Sequence, residues 1–420
     1  MGTGVLTEPF HRVDGELHCG GTPATELCDR FGTPLYVYDL SWIRRQVGAF
    51  ADAFREVDHL IAYSVKANGN LSILRSLGEL GCGADITSRG ELFRARRAGI
   101  PGDRIVFAGV GKSREEIAYA LEEGILAFNV ESRGELERIE SVARERGVQA
   151  RFGIRVNPDV LAETPHEYTR TGHAETKFGV PWDETRALYQ WAAGSDHLVP
   201  VGIDVHIGSQ IVDPEPYVRA LDRVLELVAE LADSGVALEY LDIGGGFGIS
   251  YDEGPGLDVS ALASSIAPRV SQAGLRLILE PGRALVGEAG VLLTRVQYVK
   301  QSGLKTFVIV DGGMSELIRP SHYGGYHRIE PVRSPETENR ASVDVVGPIC
   351  ETGDFLARDR SLPLPREGDI LAVRTVGAYG FTMASNYNGR LRPAEVLVDG
   401  TEVHLARRRE SLEDLIRGEE

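Results

Sequence analysis

The sequence predicts an α/β chain, a (β/α)8 TIM barrel followed by a second, mostly β domain of sandwich- or barrel-like form. Three observations carry this. From Thr33 to about Arg283, short β-rich runs alternate with amphipathic helical stretches. There are eight such units over roughly 250 residues, the count and size of one barrel. After Arg283 the helical patterns thin out, and short strand-like runs follow one another between Gly, Pro and Asn turns. A doubly wound open sheet is the structural alternative for the first part.

Taken in order, the opening residues through about Phe31 mix turn residues with short apolar runs and lack the later rhythm. The barrel strands are expected at Leu60–Lys66, Gly83–Thr87, Arg104–Ala108, Ile125–Val130, Ala150–Val156, Val201–Ile207, Glu239–Gly244 and Arg276–Glu280. Helical patterns at Arg89–Ala98, Arg114–Glu123, Arg133–Gly147 and Tyr217–Ser234 separate several of them. In the second domain, strands are expected at Gly290–Val299, Thr306–Val310, Ser342–Val346, Ile370–Val376 and Ala394–Val398, with a closing charged helix over Arg407–Glu420. The domain reading is therefore residues 33–285 for the barrel, and 286–420 completed by 1–32 for the β domain.

Composition narrows the function. Apolar residues make up 42% and charged residues 25% of the 420 positions, an ordinary globular balance. The 45 Lys and Arg against 62 Asp and Glu leave a net charge of −17, which argues against a nucleic-acid or anionic-membrane surface. No basic leader with an apolar core opens the chain, and no run approaches the length of a membrane span, so a cytoplasmic protein is expected. Cys19, Cys28, Cys82 and Cys350 stand far apart, suggesting neither a disulfide framework nor a zinc site.

A barrel of this kind builds its active site from the C-terminal ends of its strands. Lys66 ends the first expected strand, Asp85 stands near the end of the second, Arg155 and Asn157 close the fifth, and His206 the sixth. Gly244, Gly245 and Gly246 close the seventh and Glu280 the eighth. Each admits a plain reading: a solvated lysine, a satisfied histidine, a tight glycine turn, a structural ion pair. Each also admits a chemical one. An amine at a barrel mouth can condense with a carbonyl when partial desolvation lowers its pKa. Glycines between a strand and a helix free backbone N–H groups to surround a phosphate, and their spacing here is not that of a dinucleotide site. In the second domain, Cys350 beside Glu351, and the glycine-punctuated runs Asp311–Tyr323 and Gly377–Asn388, hold further polar and aromatic groups.

Six stretches occur in a telling order: Tyr63-Ser64-Val65-Lys66-Ala67-Asn68, His206-Ile207-Gly208-Ser209-Gln210, Gly244-Gly245-Gly246, Glu280-Pro281-Gly282-Arg283, Cys350-Glu351-Thr352-Gly353-Asp354 and Ala378-Tyr379-Gly380. Together they resemble the fold-group-III pyridoxal-phosphate decarboxylases, with an alanine-racemase-like barrel and a β domain, and among them the branch acting on meso-2,6-diaminopimelate. The resemblance covers nearly the whole chain. It implies Lys66 as the lysine joined to pyridoxal 5'-phosphate, with Asp85 among the cofactor-binding residues, His206 stacked on the ring and Glu280 at the pyridine nitrogen. Ser209, Gly244, Gly245, Gly246, Gly282, Arg283 and Tyr379 would hold the phosphate. Arg283, Arg319, Tyr323, Glu351 and Tyr379 would meet the substrate, and Cys350 would contribute to protonation. It further implies a head-to-tail homodimer in which Cys350 and Glu351 reach the site from the partner subunit.

Two departures stand out: Thr352 replaces the Ser of many relatives, and Pro320-Ser321-His322-Tyr323 is more polar than the usual stretch. The rival readings are a same-fold decarboxylase of ornithine, lysine, arginine, a D-amino acid or a carrier-bound amino acid, and a catalytically silent relative that binds a partner. Retention of both Lys66 and Cys350 speaks against silence. Arg283 and Arg319 offer forked donors for a distal carboxylate and Glu351 an acceptor for a distal ammonium, the pair of groups that meso-diaminopimelate carries and simple diamino acids lack.

Overall fold

The computed structural model describes residues 8–160, 177–252, 254–335 and 339–419. The chain divides into two compact units, one comprising Gln46–Ile249 and Pro255–Ala284, the other Met1–Arg45, Ser250–Gly254 and Leu285–Glu420.

In the first unit, eight strands close on themselves: His59–Ser64, Gly83–Ile86, Ile105–Phe107, Ala127–Val130, Ala150–Arg155, Leu198–Asp204, Tyr240–Asp242 and Arg276–Leu279. Every neighbouring pair is parallel, and the last strand returns to the first through Leu277 opposite His59 and Leu279 opposite Ile61. All eight expected strands are present, with ends shifted by a few residues. Lys66 and His206 consequently lie just past their strands: Lys66 sits in a one-turn helix, Val65–Ala67. Leu60, Ala62, Val106, Ala127, Val201, Tyr240 and Ile278 form one buried cluster. Tyr240 occupies that space because its neighbours have no side chain there. A Cβ on Gly202 would stand 2.1 Å from the Tyr240 ring, and one on Gly153 3.1 Å from its hydroxyl.

The crossover helices start where the sequence supplies caps. Ser88, Ser113 and Ser132 each accept a hydrogen bond from the backbone N–H three residues on, at Glu91, Glu116 and Glu135. Glu116 completes a reciprocal capping box with Ser113. Helix Arg133–Arg146 ends at Gly147, whose φ of +65° suits a residue without a Cβ.

The second unit centres on a nine-stranded sheet. Its long strand Gly290–Ser302 pairs with Lys305–Val310, with Ile370–Arg374 and with Leu35–Asp39. The last of these departs from a barrel beginning at Thr33. Leu35–Asp39 is buried along its whole length and lies between Gly290–Ser302 and Ala394–Asp399, so its apolar residues are covered as sheet core. The opening residues form a small three-stranded sheet and helix Ala24–Phe31, with Phe10, Leu17 and Leu27 packed in one core with Val37, Leu293 and Val396. Two further differences concern the end of the chain. Phe355–Pro363 is a strand that the pattern did not reveal. The expected closing helix over Arg407–Glu420 is replaced by strand Glu402–Arg407 and a single turn, Leu412–Leu415. Leu412 and Ile416 are exposed, so no apolar stripe exists to hold a longer helix against a core.

Gly202→Ala places a methyl group in the Tyr240 ring and is expected to destabilise the protein by about 2 kcal/mol in denaturant unfolding. A change under about 0.5 kcal/mol would show that the barrel interior yields freely at this point.

Candidate active site

The first unit gathers most of the chemical residues at one end of the barrel. Lys66 Nζ lies 2.6 Å from Asp85 Oδ2; the lysine side chain is 37% exposed, whereas the aspartate is wholly buried. Two contacts frame this pair. Ser64 Oγ stands 2.8 Å from the same Asp85 oxygen and 3.0 Å from the Glu280 carbonyl. The Tyr63 hydroxyl donates to the Asn68 carbonyl, which holds the chain as it leaves the strand, and Asn70 then caps helix Leu71–Glu79 through Ser72 N–H.

His206 is set by the glycine turn. The Gly245 N–H donates to His206 Nδ1 at 3.1 Å, so Nδ1 is the acceptor and a neutral ring carries its proton on Nε2. Burial, with Arg155 and then Lys66 nearby, holds the ring's pKa well below the usual histidine range. The glycines themselves leave no room for side chains. A Cβ on Gly244 would meet His206 Nδ1 at 2.6 Å, one on Gly245 the Glu280 carbonyl oxygen at 2.3 Å, and one on Gly246 the Gly208 carbonyl oxygen at 2.3 Å. Gly244 and Gly246 also take φ values of +68° and +90°. Beside them Arg283 Nη2 donates to Ser209 Oγ at 3.2 Å. Gly282 packs so closely that its Cβ would stand 3.0 Å from those of Ser64 and Ala67, and Ser64 N–H donates to the Pro281 carbonyl. Lys66, Asp85, His206, Ser209, the three glycines, Glu280, Gly282 and Arg283 thus share one neighbourhood.

Sequence reasoning missed the acids beneath them. Asp204 and Asp242 end adjacent strands in register, and one oxygen from each, with one from Glu280, lie within 4.8 Å of one another. Burial, and then Asp242, push Glu280 well above the usual carboxylate range. Glu280 therefore takes a proton more readily in this setting than a solvated glutamate does. Asn129, Glu131 and Arg155 complete the surround, with Arg155 Nη1 3.2 Å from Glu131 Oε1. The available signal was position: Asp204 precedes His206 by two residues, and Asp242 precedes Gly244 by two.

The other expected residues lie in the second unit. Arg319 is buried, its Nη1 2.9 Å from His327 Nε2 and its guanidinium 4.8 Å from the Tyr251 ring centroid. Tyr323 meets His322 edge to face. Tyr379 adopts a φ of +57°. Cys350 and Glu351 are exposed. They are held by one turn: Asn388 Nδ2 stands 3.0 Å from Cys350 Sγ, and the Tyr387 hydroxyl donates to Glu351 Oε2 at 3.0 Å. Tyr387 and Asn388 had been legible only as a polar loop.

A family model for the pyridoxal-binding domain of pyridoxal-dependent decarboxylases matches residues 40–287. Diaminopimelate decarboxylase of Pseudomonas aeruginosa is 50% identical over 413 residues, covering 98% of this chain and 99% of that protein. The chain belongs to the diaminopimelate decarboxylase family. These pyridoxal-dependent decarboxylases are carboxy-lyases, and the chain's cofactor is pyridoxal phosphate. The Aquifex aeolicus diaminopimelate decarboxylase is 48% identical over 96% of this chain and 95% of its own length. The crystal structure of the Helicobacter pylori diaminopimelate decarboxylase complexed with L-lysine matches with a TM-score of 0.91 at 43% identity, over 94% of this chain and 98% of that one. Among the described residues, no helix is long and apolar enough to cross a membrane.

The depressed pKa of His206 sets a pH dependence. The folded protein excludes a proton that the unfolded chain accepts near pH 6.5, so this stability is present above that pH and lost as pH falls. In cofactor-free protein, His206→Gln is expected to flatten the loss of unfolding free energy between pH 7 and 5, by up to about 1.4 kcal/mol per pH unit. An unchanged slope would mean that His206 is not the excluded proton site.

Proposed function

We propose that this chain removes one carboxylate from meso-2,6-diaminopimelate to give L-lysine, the last step of lysine biosynthesis. The observation that carries the reading is the likeness, over nearly the whole of both chains, to diaminopimelate decarboxylases, including one solved with L-lysine.

In this reading Lys66 holds the cofactor covalently, and Asp85, 2.6 Å from its Nζ, keeps the amine in place. The cradle of Gly244, Gly245 and Gly246, which any Cβ would fill, suits a phosphate bound by backbone N–H groups, with Ser209, Gly282, Arg283 and Tyr379 completing its hold. Glu280 Oε1, buried and without a hydrogen-bond partner among the described residues, suits a ring nitrogen. Bound pyridoxal phosphate supplies the electron-poor ring that accepts the electron pair left when carbon dioxide departs. The protein does the rest by position and charge. His206, neutral and fixed by Gly245 N–H, presents a flat face without adding a cation beside the ring. Arg283, Arg319, Tyr323 and Tyr379 meet the substrate, and the two guanidinium groups take its distal carboxylate. Glu351 takes the distal ammonium, and Cys350 returns a proton to the carbon that lost carbon dioxide.

The working unit in this reading is a head-to-tail homodimer in which Cys350 and Glu351 of the partner subunit complete each site. Two features support it. Cys350 and Glu351 belong to a different compact unit from Lys66, and both are exposed in the single chain.

Side-by-side assays of carbon dioxide release from meso-diaminopimelate, L-ornithine, L-lysine, L-arginine and their D-forms test the substrate. The others leave a buried guanidinium without its anion, and a preference of about a thousandfold for meso-diaminopimelate is expected. Higher kcat/KM with any of them would refute the assignment while leaving the family intact. Mixing inactive Lys66→Ala with inactive Cys350→Ala chains is expected to restore up to about a quarter of the sites, through random pairing of complementary defects across a two-fold interface. No recovery after verified subunit exchange would place the whole site within one chain.

A further inference from the structure

The proposed chemistry uses Glu280 and leaves Asp204 and Asp242 without a role, yet the three form one cluster. They are 2%, 0% and 4% exposed for Asp204, Asp242 and Glu280, and an oxygen from each lies within 4.8 Å of the others. Three carboxyl groups this close and this dry cannot all ionise. Neighbouring cations relieve them only in part: Lys66 lowers Glu280 and Arg155 lowers Asp204, but burial outweighs both, and each cation also stands beside another anion. Lys66 is 2.6 Å from Asp85, and Arg155 is 3.2 Å from Glu131. His206 is held neutral and adds no charge.

The hydrogen bonds assign the charge. Asp242 Oδ1 accepts from Gly244 N–H at 2.8 Å, and Asp242 Oδ2 accepts from Asn129 Nδ2 at 3.2 Å. An oxygen of its side chain also lies within 4.8 Å of one of Glu280. With donors on both of its oxygens, Asp242 is the member of the pair better held as a carboxylate, and Glu280, which has no such donors on Oε1, the one better held protonated. Glu280 Oε1 and Asp204 Oδ1 are buried with no hydrogen-bond partner among the described residues. Burial comes first and Asp242 second among the causes that raise both Glu280 and Asp204.

We propose that Asp242 and Asp204 are positioning residues that keep Glu280 protonated in the cofactor-free protein, and that Glu280 gives this proton to the ring nitrogen as pyridoxal phosphate binds. The inference rests on the reading that places Glu280 at that nitrogen. For cofactor arriving with an unprotonated ring nitrogen the transfer is balanced: the Glu280 O–H bond breaks, its electron pair stays on the carboxylate oxygen, and an N–H bond forms at the ring. The ring nitrogen is thus charged by the protein itself, and the carboxylate it needs is created in place by the same event.

Calorimetric titration of cofactor-free enzyme with pyridoxal phosphate, in buffers of different ionisation heat, counts the protons taken up. In Asp242→Asn the new amide donates to Glu280 and leaves it ionised beforehand, so this variant is expected to take up about one proton more per site than the wild type. Equal uptake by the two proteins overturns the proposal. A second measurement needs no variant. Infrared difference spectra of wild-type protein carrying carbon-13 glutamate are expected to lose a protonated-carboxyl band, shifted by the label, when the cofactor is added. Absence of that loss also overturns it. Glu280→Gln separates the two levels of the argument. Near-normal turnover in that variant would remove Glu280 from the ring nitrogen and sink the underlying reading. Strongly slowed turnover together with equal proton uptake by wild type and Asp242→Asn would sink the proton-holding role alone.

Discussion

Closure of the parallel barrel is the constraint on which the site depends. A parallel ladder satisfies its backbone groups at every strand only if the last strand meets the first, and here Leu277–Leu279 pairs with His59–Ile61. Closure brings all eight C-terminal strand ends to one rim. Lys66 and Glu280, more than two hundred residues apart in the chain, thereby come to share Ser64, whose hydroxyl lies beside both Asp85 and the Glu280 carbonyl. The interior must still be filled, and Tyr240 fills part of it only because Gly153 and Gly202 are glycines.

The same closure creates the electrostatic problem that the chemistry exploits. Strand ends carrying Asp85, Asp204, Asp242 and Glu280 converge in a space that excludes water, where like charges are costly. Lys66 and Arg155 pair with Asp85 and Glu131 and offset only part of the burial cost at Glu280 and Asp204. His206 experiences the opposite pressure and is kept neutral. A single geometric feature therefore pushes Asp204, Asp242 and Glu280 up and His206 down within one small volume, the pattern expected of a site for proton-coupled chemistry.

Much of this was legible in the chain. The alternation of β-rich runs and helical patterns located all eight barrel strands, because a parallel sheet buried on both faces requires apolar β-rich runs and its crossovers require amphipathic helices. The Ser-x-x-Glu caps at Ser88, Ser113 and Ser132 were present to be read as well. Reading went wrong where a segment's partners lie far away in sequence. Leu35–Asp39 looks like the start of the barrel, and only its pairing with Gly290–Ser302 and Ala394–Asp399 shows otherwise. At the other end, the charged composition of Arg407–Glu420 suggested a helix, but Glu402–Arg407 had a strand to pair with and Leu412–Leu415 fully buries none of its residues.

The sequence by itself determined the barrel, the mostly β second domain and the ordered motifs around Lys66, His206, Gly244–Gly246, Glu280 and Cys350, because local periodicity and residue identity are properties of neighbouring positions. Tertiary structure alone decided which groups share a proton and which side chains restrain them. Asp204, Asp242 and Asn129 acquire meaning only when strand closure sets them against Glu280, and Asn388 and Tyr387 only when their turn reaches Cys350 and Glu351. Charge interactions depend on distance and burial, and neither quantity is written in the spacing of residues along a chain.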